Sequence, residues 1–136
     1  MGAARIIVDT GPLVGFLDAD DQWHDWSLER FNELPGPFLT CEAVISEASY
    51  LLGAQGDEKL LEMVEAGVLE VVPLLPRDAA KLRLLMKRYA GRIQYADACL
   101  IRLSELHPEA RVLTTDVRDF RIYRRNRNER LPLISP

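Results

Sequence analysis

Two hydrophobic patterns alternate along this chain. Short continuous apolar runs occur at Ile6-Ile7-Val8, Phe38-Leu39, Val68 to Val72 and Val112-Leu113. Runs of that length with β-branched residues are strands buried on both faces. Between them, apolar residues recur every three or four positions, the period of a helix with one buried side. A strand over Arg5–Val8 is followed by a helix with Leu13, Val14, Phe16 and Leu17 on its apolar side. Asp18 to Asp21 breaks that helix, and Asp20 or Asp21 caps the next, which carries Trp23, Trp26, Leu28 and Phe31 and ends near Leu34. Pro35-Gly36-Pro37 is a loop. Phe38-Leu39 is a short strand with Thr40 as N-cap of the helix over 41–52, which Gly53 ends. A further helix spans about Asp57 to Ala66 and stops at Gly67. Helices are also expected over Asp78–Tyr89 and Tyr95–Leu106, separated by a loop at Gly91 to Gln94. A strand over Arg111–Thr114 leads into a tight connection at Asp116 to Phe120, with edge strands at Phe120–Arg124 and Leu131–Ile134. Strands alternating with helices predict an α/β fold, a parallel sheet flanked by helices. Neither a repeat nor a linker interrupts the pattern, so residues 1–136 read as a single domain.

Composition changes this picture little. No apolar run reaches the length of a membrane span, and Met1-Gly2-Ala3-Ala4-Arg5 leads straight into a strand without the features of a signal peptide. The expectation is a cytoplasmic protein. Cys41 and Cys99 form no CxxC pair and no zinc spacing, and read as buried free thiols. His24 and His107 read as surface residues rather than metal ligands.

Charge changes the picture more. Residues 1–76 hold three basic and fourteen acidic side chains, whereas residues 77–136 hold fourteen basic and seven acidic ones. Arg118, Arg121, Arg124, Arg125, Arg127 and Arg130 crowd the C-terminal segment, with Phe120 and Tyr123 between them. Such a cluster is either a phosphate-binding surface or a solvated face that pairs with the acidic half.

The candidate chemistry lies in four acids placed against apolar sequence. Asp9 ends the first strand, and Asp116 follows the run Val112-Leu113-Thr114. Glu47 shares a helix face with Val44 and Leu51, and Asp97 sits between Ala96 and Ala98 near a helix start. Each has an ordinary explanation. Asp9 serves as a turn residue or helix cap, Glu47 pairs with Arg5 or Arg102, and Asp97 answers a helix dipole. Taken together they point elsewhere. Ligands of open parallel sheets bind beyond the carboxyl ends of the strands. Carboxylates gathered there repel one another unless a cation compensates them, and magnesium or manganese prefers oxygen ligands. A phosphoryl-transfer receiver or phosphatase would need a lysine beside its aspartate, and no lysine follows Lys87. The chain has no P-loop, GxGxxG or GxSxG.

Four segments carry a family resemblance. They are Val8-Asp9-Thr10-Gly11-Pro12-Leu13, Thr40-Cys41-Glu42-Ala43-Val44-Ile45-Ser46-Glu47-Ala48, Tyr95-Ala96-Asp97-Ala98-Cys99-Leu100, and Leu113-Thr114-Thr115-Asp116-Val117-Arg118-Asp119-Phe120. In this order and spacing they resemble the PIN-domain family, specifically its VapC-like toxin ribonucleases. The resemblance implies a three-layer α/β/α fold around a mainly parallel sheet of four to five strands. It implies an endoribonuclease dependent on Mg²⁺, or alternatively Mn²⁺, with Asp9, Glu47, Asp97 and Asp116 as the catalytic acids. Asp9, Asp97 and Asp116 would hold the metal directly or through water, Glu47 would hold a metal-bound water or help orient the nucleophile, and Asp119 is a candidate fifth, outer acid. Thr10 and Thr115 would offer hydroxyls to water or phosphate. Arg118, Arg121, Arg124, Arg125 and Arg127 would hold the RNA backbone. The implied partners are a cognate antitoxin and a second copy of the chain. The competing reading is a non-catalytic RNA-binding or protein-interaction module on the same fold.

Overall fold

The computed structural model describes residues 5–136, so the reading of Met1 to Ala4 as a plain leader into the first strand lies outside the described residues. The elements follow one another as strand β1 (Ile6–Val8), helices α1 (Thr10–Leu17) and α2 (His24–Glu33), strand β2 (Phe38–Thr40), helix α3 (Glu42–Glu65) and strand β3 (Leu69–Val71). After them come helices α4 (Ala79–Arg88) and α5 (Tyr95–Leu106), strand β4 (Arg111–Leu113), the short helix α6 (Val117–Phe120), and strands β5 (Arg124–Arg125), β6 (Glu129–Arg130) and β7 (Leu133–Ile134). Five strands form one sheet in the order β3-β2-β1-β4-β7, every neighbouring pair parallel. Helices cover both faces in a three-layer α/β/α arrangement, with α1 packed on α2 and α3, and α4 on α5. No helix among the described residues is long and apolar enough to cross a membrane.

The apolar runs became strands because their side chains are taken up on both faces. Ile6, Ile7, Val8, Leu39, Val112 and Leu113 are fully buried. Ala98, Leu100, Ile101 and Leu103 of α5 pack against them. Burial of each large aliphatic side chain is worth roughly 1.5–3 kcal/mol, so register is strongly held where a slip would turn it outward. Phe16, Phe31 and Phe38 form a further chain of rings, each 4.7 Å from the next.

Three local expectations needed correction. Thr40 belongs to β2, where its hydroxyl donates to the Val8 carbonyl, and Cys41 takes the cap position of α3. Gly53 ends the first helical stretch of α3 as expected: at φ 74° and ψ −173° its backbone is non-helical, and a second stretch follows directly across the kink. That positive φ is accessible to glycine at little cost. Phe120–Arg124 is not an edge strand, because α6 and a turn occupy it. Only Arg124–Arg125 is extended, in a separate antiparallel hairpin with β6. His24 is half-buried, its Nδ1 2.7 Å from the Gly15 carbonyl. Cys41 and Cys99 are free and buried as expected, and the fold brings both to the wall of one pocket.

The strand order places the site. From β1 the chain moves outward to β2 and β3, then crosses back to insert β4 on the other side of β1. The carboxyl ends of β1 and β4 therefore flank the point where the direction of winding reverses. Chains leaving such neighbouring strands diverge and open a crevice.

Candidate functional site: an acidic cleft at the carboxyl edge of the sheet

Asp9 emerges from β1 and caps α1. Its backbone N–H continues the sheet ladder to the Leu113 carbonyl. Its carboxylate accepts from the Thr10 N–H at 2.7 Å and from the Thr114 hydroxyl at 2.7 Å. The ordinary role read for Asp9, a helix cap, is thus real, yet it does not account for the burial. Only 6% of Asp9 is exposed. Burial raises its pKa from 3.8 to about 7; the two hydrogen bonds oppose the rise, and the charges of Asp97 and Glu47 add to it.

Asp97 stands in the first turn of α5. Its carboxylate accepts from the Tyr123 hydroxyl at 2.8 Å. Burial again dominates, and with Asp116, Glu47 and Asp119 nearby it lifts the pKa of Asp97 to about 6 against the lowering effect of Tyr123. Asp116 follows β4 and caps α6 by accepting from the Asp119 N–H at 3.1 Å. Its pKa is also raised, chiefly by burial; the neighbouring Asp119 charge adds to the rise, and the Arg118 guanidinium opposes it. Glu47 projects from α3 into the same space. Neither arginine expected to pair with it does so: Arg5 binds Glu70, and Arg102 binds Asp78 and Glu105.

All four predicted acids, with Asp119, line one open cleft of about 670 Å³. Within it, one carboxylate oxygen each from Asp97, Asp116 and Asp119 lie within 4.8 Å of one another. The tightest acidic group therefore includes Asp119, expected only as an outer acid. Asp9 stands deeper, with both oxygens engaged. The donor set is all oxygen, which suits a hard divalent cation. The buried Thr10 hydroxyl, also lining the cleft, has no hydrogen-bond partner.

Three site residues escaped the sequence reading. Thr114, rather than Thr10 or Thr115, ties the acids together: its hydroxyl donates to Asp9 and accepts from the Asp116 N–H at 2.9 Å. An acid-threonine pairing 105 residues apart leaves no local signal. Tyr123 was grouped with a basic surface, but it is 3% exposed and serves Asp97 from below. Arg92, in the loop after α4, lines the cleft and brings a cation to its rim. Gly11 allows the two strand ends to meet closely, since a Cβ there would collide with the Thr115 hydroxyl.

The arginine cluster divides into two groups. Arg125 is 5% exposed, and its guanidinium donates to the Ser104 carbonyl and hydroxyl, the Pro108 carbonyl and Glu129. Arg124 donates to the carbonyls of Arg121, Ile122 and Tyr123 at the end of α6. Arg125 is turned into the fold with all three guanidinium nitrogens engaged, whereas Arg124 is half-buried and bonds through Nη1 alone. Arg118, Arg121, Arg127 and Arg130 remain exposed. Among the described residues, none of the six arginines pairs with an acid of the N-terminal half.

Comparison with known proteins agrees with this fold. The family model of the PIN domain matches residues 6–126. Among solved structures, the chain is similar to Mycobacterium tuberculosis VapC20, described as a Sarcin-Ricin loop cleaving toxin, with a TM-score of 0.72 and 18% identity. That similarity covers 79% of this chain and 86% of the other. At this identity the likeness is one of fold. No curated protein matches the sequence.

Proposed function

This chain belongs to the PIN-domain family, and from that premise we propose that it is a metal-dependent endoribonuclease, the toxin of a toxin–antitoxin pair. The observation that carries the reading is the convergence of Asp9, Glu47, Asp97, Asp116 and Asp119 on one cleft at the winding reversal of the sheet. Burial opposes the ionisation of Asp9, Asp97 and Asp116, a cost that a bound cation would offset; a non-catalytic module therefore fits less well.

The ion proposed is Mg²⁺, with Mn²⁺ as its substitute, held by Asp97 and Asp116 with Asp119 or Asp9 completing the set. When bound, it supplies charge neutralisation, polarisation of the scissile phosphate and an acidified water. The chain's own residues do the rest. Tyr123 fixes the rotamer of Asp97 and favours its charged form, and Thr114 does the same for Asp9. Glu47, without an ion-pair partner among the described residues, is free to accept a proton from the attacking water at its carboxylate. Arg118 and Arg121, exposed on and beside α6, are within the segment that follows Asp116 and grip phosphate oxygens by paired N–H donors. Similarity to a VapC toxin extends the proposal to an antitoxin partner and a homodimer.

The test is cleavage of RNA by purified protein with Mg²⁺ and with EDTA, alongside Asp97→Asn. Activity should require metal and fall by orders of magnitude in the variant while its far-UV CD spectrum is retained. Mg²⁺ should also raise the melting temperature of the wild type more than that of Asp97→Asn, because a ligand of the native state stabilises by mass action. Cleavage that persists in EDTA, in preparations free of contaminating nuclease, would refute the proposal.

A further inference from the structure

One groove outside the acidic cleft carries the opposite charge. It lies between α4 and the β5–β6 hairpin, encloses about 320 Å³, and is lined by Lys81, Arg88, Arg102 and Arg127 together with Glu105 and Asn126. Arg102 and Glu105 are committed to each other, Arg102 also to Asp78, and Glu105 accepts from the Asn126 N–H. Lys81, Arg88 and Arg127 are exposed, and none has an ion-pair partner among the described residues. Lys81 and Arg88 stand two turns apart on one side of α4, separated by about 10 Å along its axis.

The hairpin presents Arg127 in a fixed place. Arg125 clamps its base to Ser104 and Pro108, and Asn126 ties its tip to Glu105 at 2.7 Å. Asn126 and Arg127 take φ of 47° and 75°. Asparagine or glycine adopts that left-handed conformation at lower cost than arginine. The turn therefore does not explain an arginine at position 127, whereas its side chain in a basic groove does.

The groove and the acidic cleft share no lining residue, but a short chain of contacts links them. Arg88 precedes Tyr89, whose ring packs edge-on against Tyr123 at 5.3 Å, and the Tyr123 hydroxyl holds Asp97. Arg92, a few residues further on, lines the cleft itself. A cleft of carboxylates repels a polyanion over its whole approach, so a strand drawn to it needs cations beside the cut site. We infer that the α4–hairpin groove is an RNA exosite, in which Lys81, Arg88 and Arg127 hold backbone phosphates of a single strand that continues past Arg92 into the acidic cleft. Its ligand rests on the nuclease reading; its place rests on the groove. RNA fits this continuity better than an acidic protein segment, because only a strand delivers a further phosphate to a cation-loaded cleft.

The experiment is binding of a fluorescent single-stranded oligoribonucleotide, followed by anisotropy from 50 to 300 mM KCl in EDTA, where no cleavage step enters. For Lys81→Gln/Arg88→Gln/Arg127→Gln, affinity should fall and the log–log salt slope should flatten by about 2, from about 0.7 for each lost phosphate contact. Arg83→Gln/Arg111→Gln/Arg130→Gln removes the same charge outside the groove and should leave the slope near that of the wild type. An unchanged slope in the groove variant, or equal flattening in both, overturns the exosite. So does a polyglutamate peptide that binds the wild type as tightly as RNA and loses as much affinity in the groove variant. Arg127→Asn alone keeps the test valid if the triple variant folds poorly: the turn should hold or gain stability while the slope flattens by about 0.7. Protein that binds through the groove yet never cuts RNA in Mg²⁺ would sink the nuclease reading alone. Protein that cuts RNA with its slope unaffected by the groove variant would sink the exosite alone.

Discussion

Replacing Asp9 by Asn should stabilise the metal-free protein, and only above acidic pH. Asp9 is nearly inaccessible, and its pKa in the fold is about 7, against 3.8 for an ordinary aspartate. Below about pH 4 the carboxyl is protonated in the folded and unfolded chains alike, and contributes no difference. Between about pH 4 and 7 the unfolded chain ionises freely while the fold resists, so the folded state binds more protons and stability falls as pH rises. Above pH 7 the cost is complete and constant. Each pH unit between the two values is worth about 1.4 kcal/mol, so ionising Asp9 in the fold costs about 4 kcal/mol at most. Asparagine never ionises, but its amide matches the Thr10 N–H and Thr114 hydroxyl less well, a loss of about 1 kcal/mol. The net expectation at pH 8 is a gain of about 2–3 kcal/mol, or roughly 1–2 M in urea midpoint for a domain of this size. At pH 4.5 the variant should be equal to the wild type or slightly weaker. Urea denaturation in EDTA at pH 4.5, 6 and 8 measures the difference. Curves that stay parallel across pH, or a variant weaker than the wild type at pH 8, would refute the reasoning that burial strains this carboxylate. Saturating Mn²⁺ should reverse the ranking, because the ion compensates only the charged form.

Two further substitutions separate roles that the sequence blurred. Tyr123→Phe removes the 2.8 Å hydrogen bond that favours the charged form of Asp97, so the pKa of Asp97 should rise above about 6. The acid limb of the pH–rate profile for RNA cleavage should move to higher pH, with activity recovered at pH 8.5 and a stability loss of about 1 kcal/mol; an unmoved limb would deny Tyr123 this positioning role. Arg125→Gln leaves the Ser104 and Pro108 carbonyls short of donors, and should lower stability by about 2–4 kcal/mol by thermal denaturation while the salt slope of RNA binding at low temperature stays unchanged. A flattened slope with stability intact would return Arg125 to the RNA surface.

Much of the architecture is legible in the sequence because its causes are local. Ile6-Ile7-Val8 and Val112-Leu113 are too short and too β-branched to be anything but buried strands, and the acids that follow them, Asp9 at once and Asp116 after Thr114-Thr115, lie at the carboxyl end of the sheet. Glu47 and Asp97 follow the same logic, since helical period alone places them beside apolar neighbours. The alternation of these elements determines an α/β fold with a parallel sheet. What the sequence by itself leaves open is every choice made between distant segments. That Asp119 joins Asp97 and Asp116 more closely than Asp9 does depends on how α6 turns after β4. That Thr114 holds Asp9 depends on β1 and β4 being neighbours. The arginine-rich segment shows the reason most clearly. Arg124, Arg125 and Arg127 are alike in sequence and have no period to sort them, yet Arg125 fills a polar pocket under α5 while Arg127 stands free at a hairpin tip. Hydrophobic spacing reports which side of an element faces the core, whereas the partner a charged side chain meets is decided by packing across the chain, and only the tertiary structure contains that.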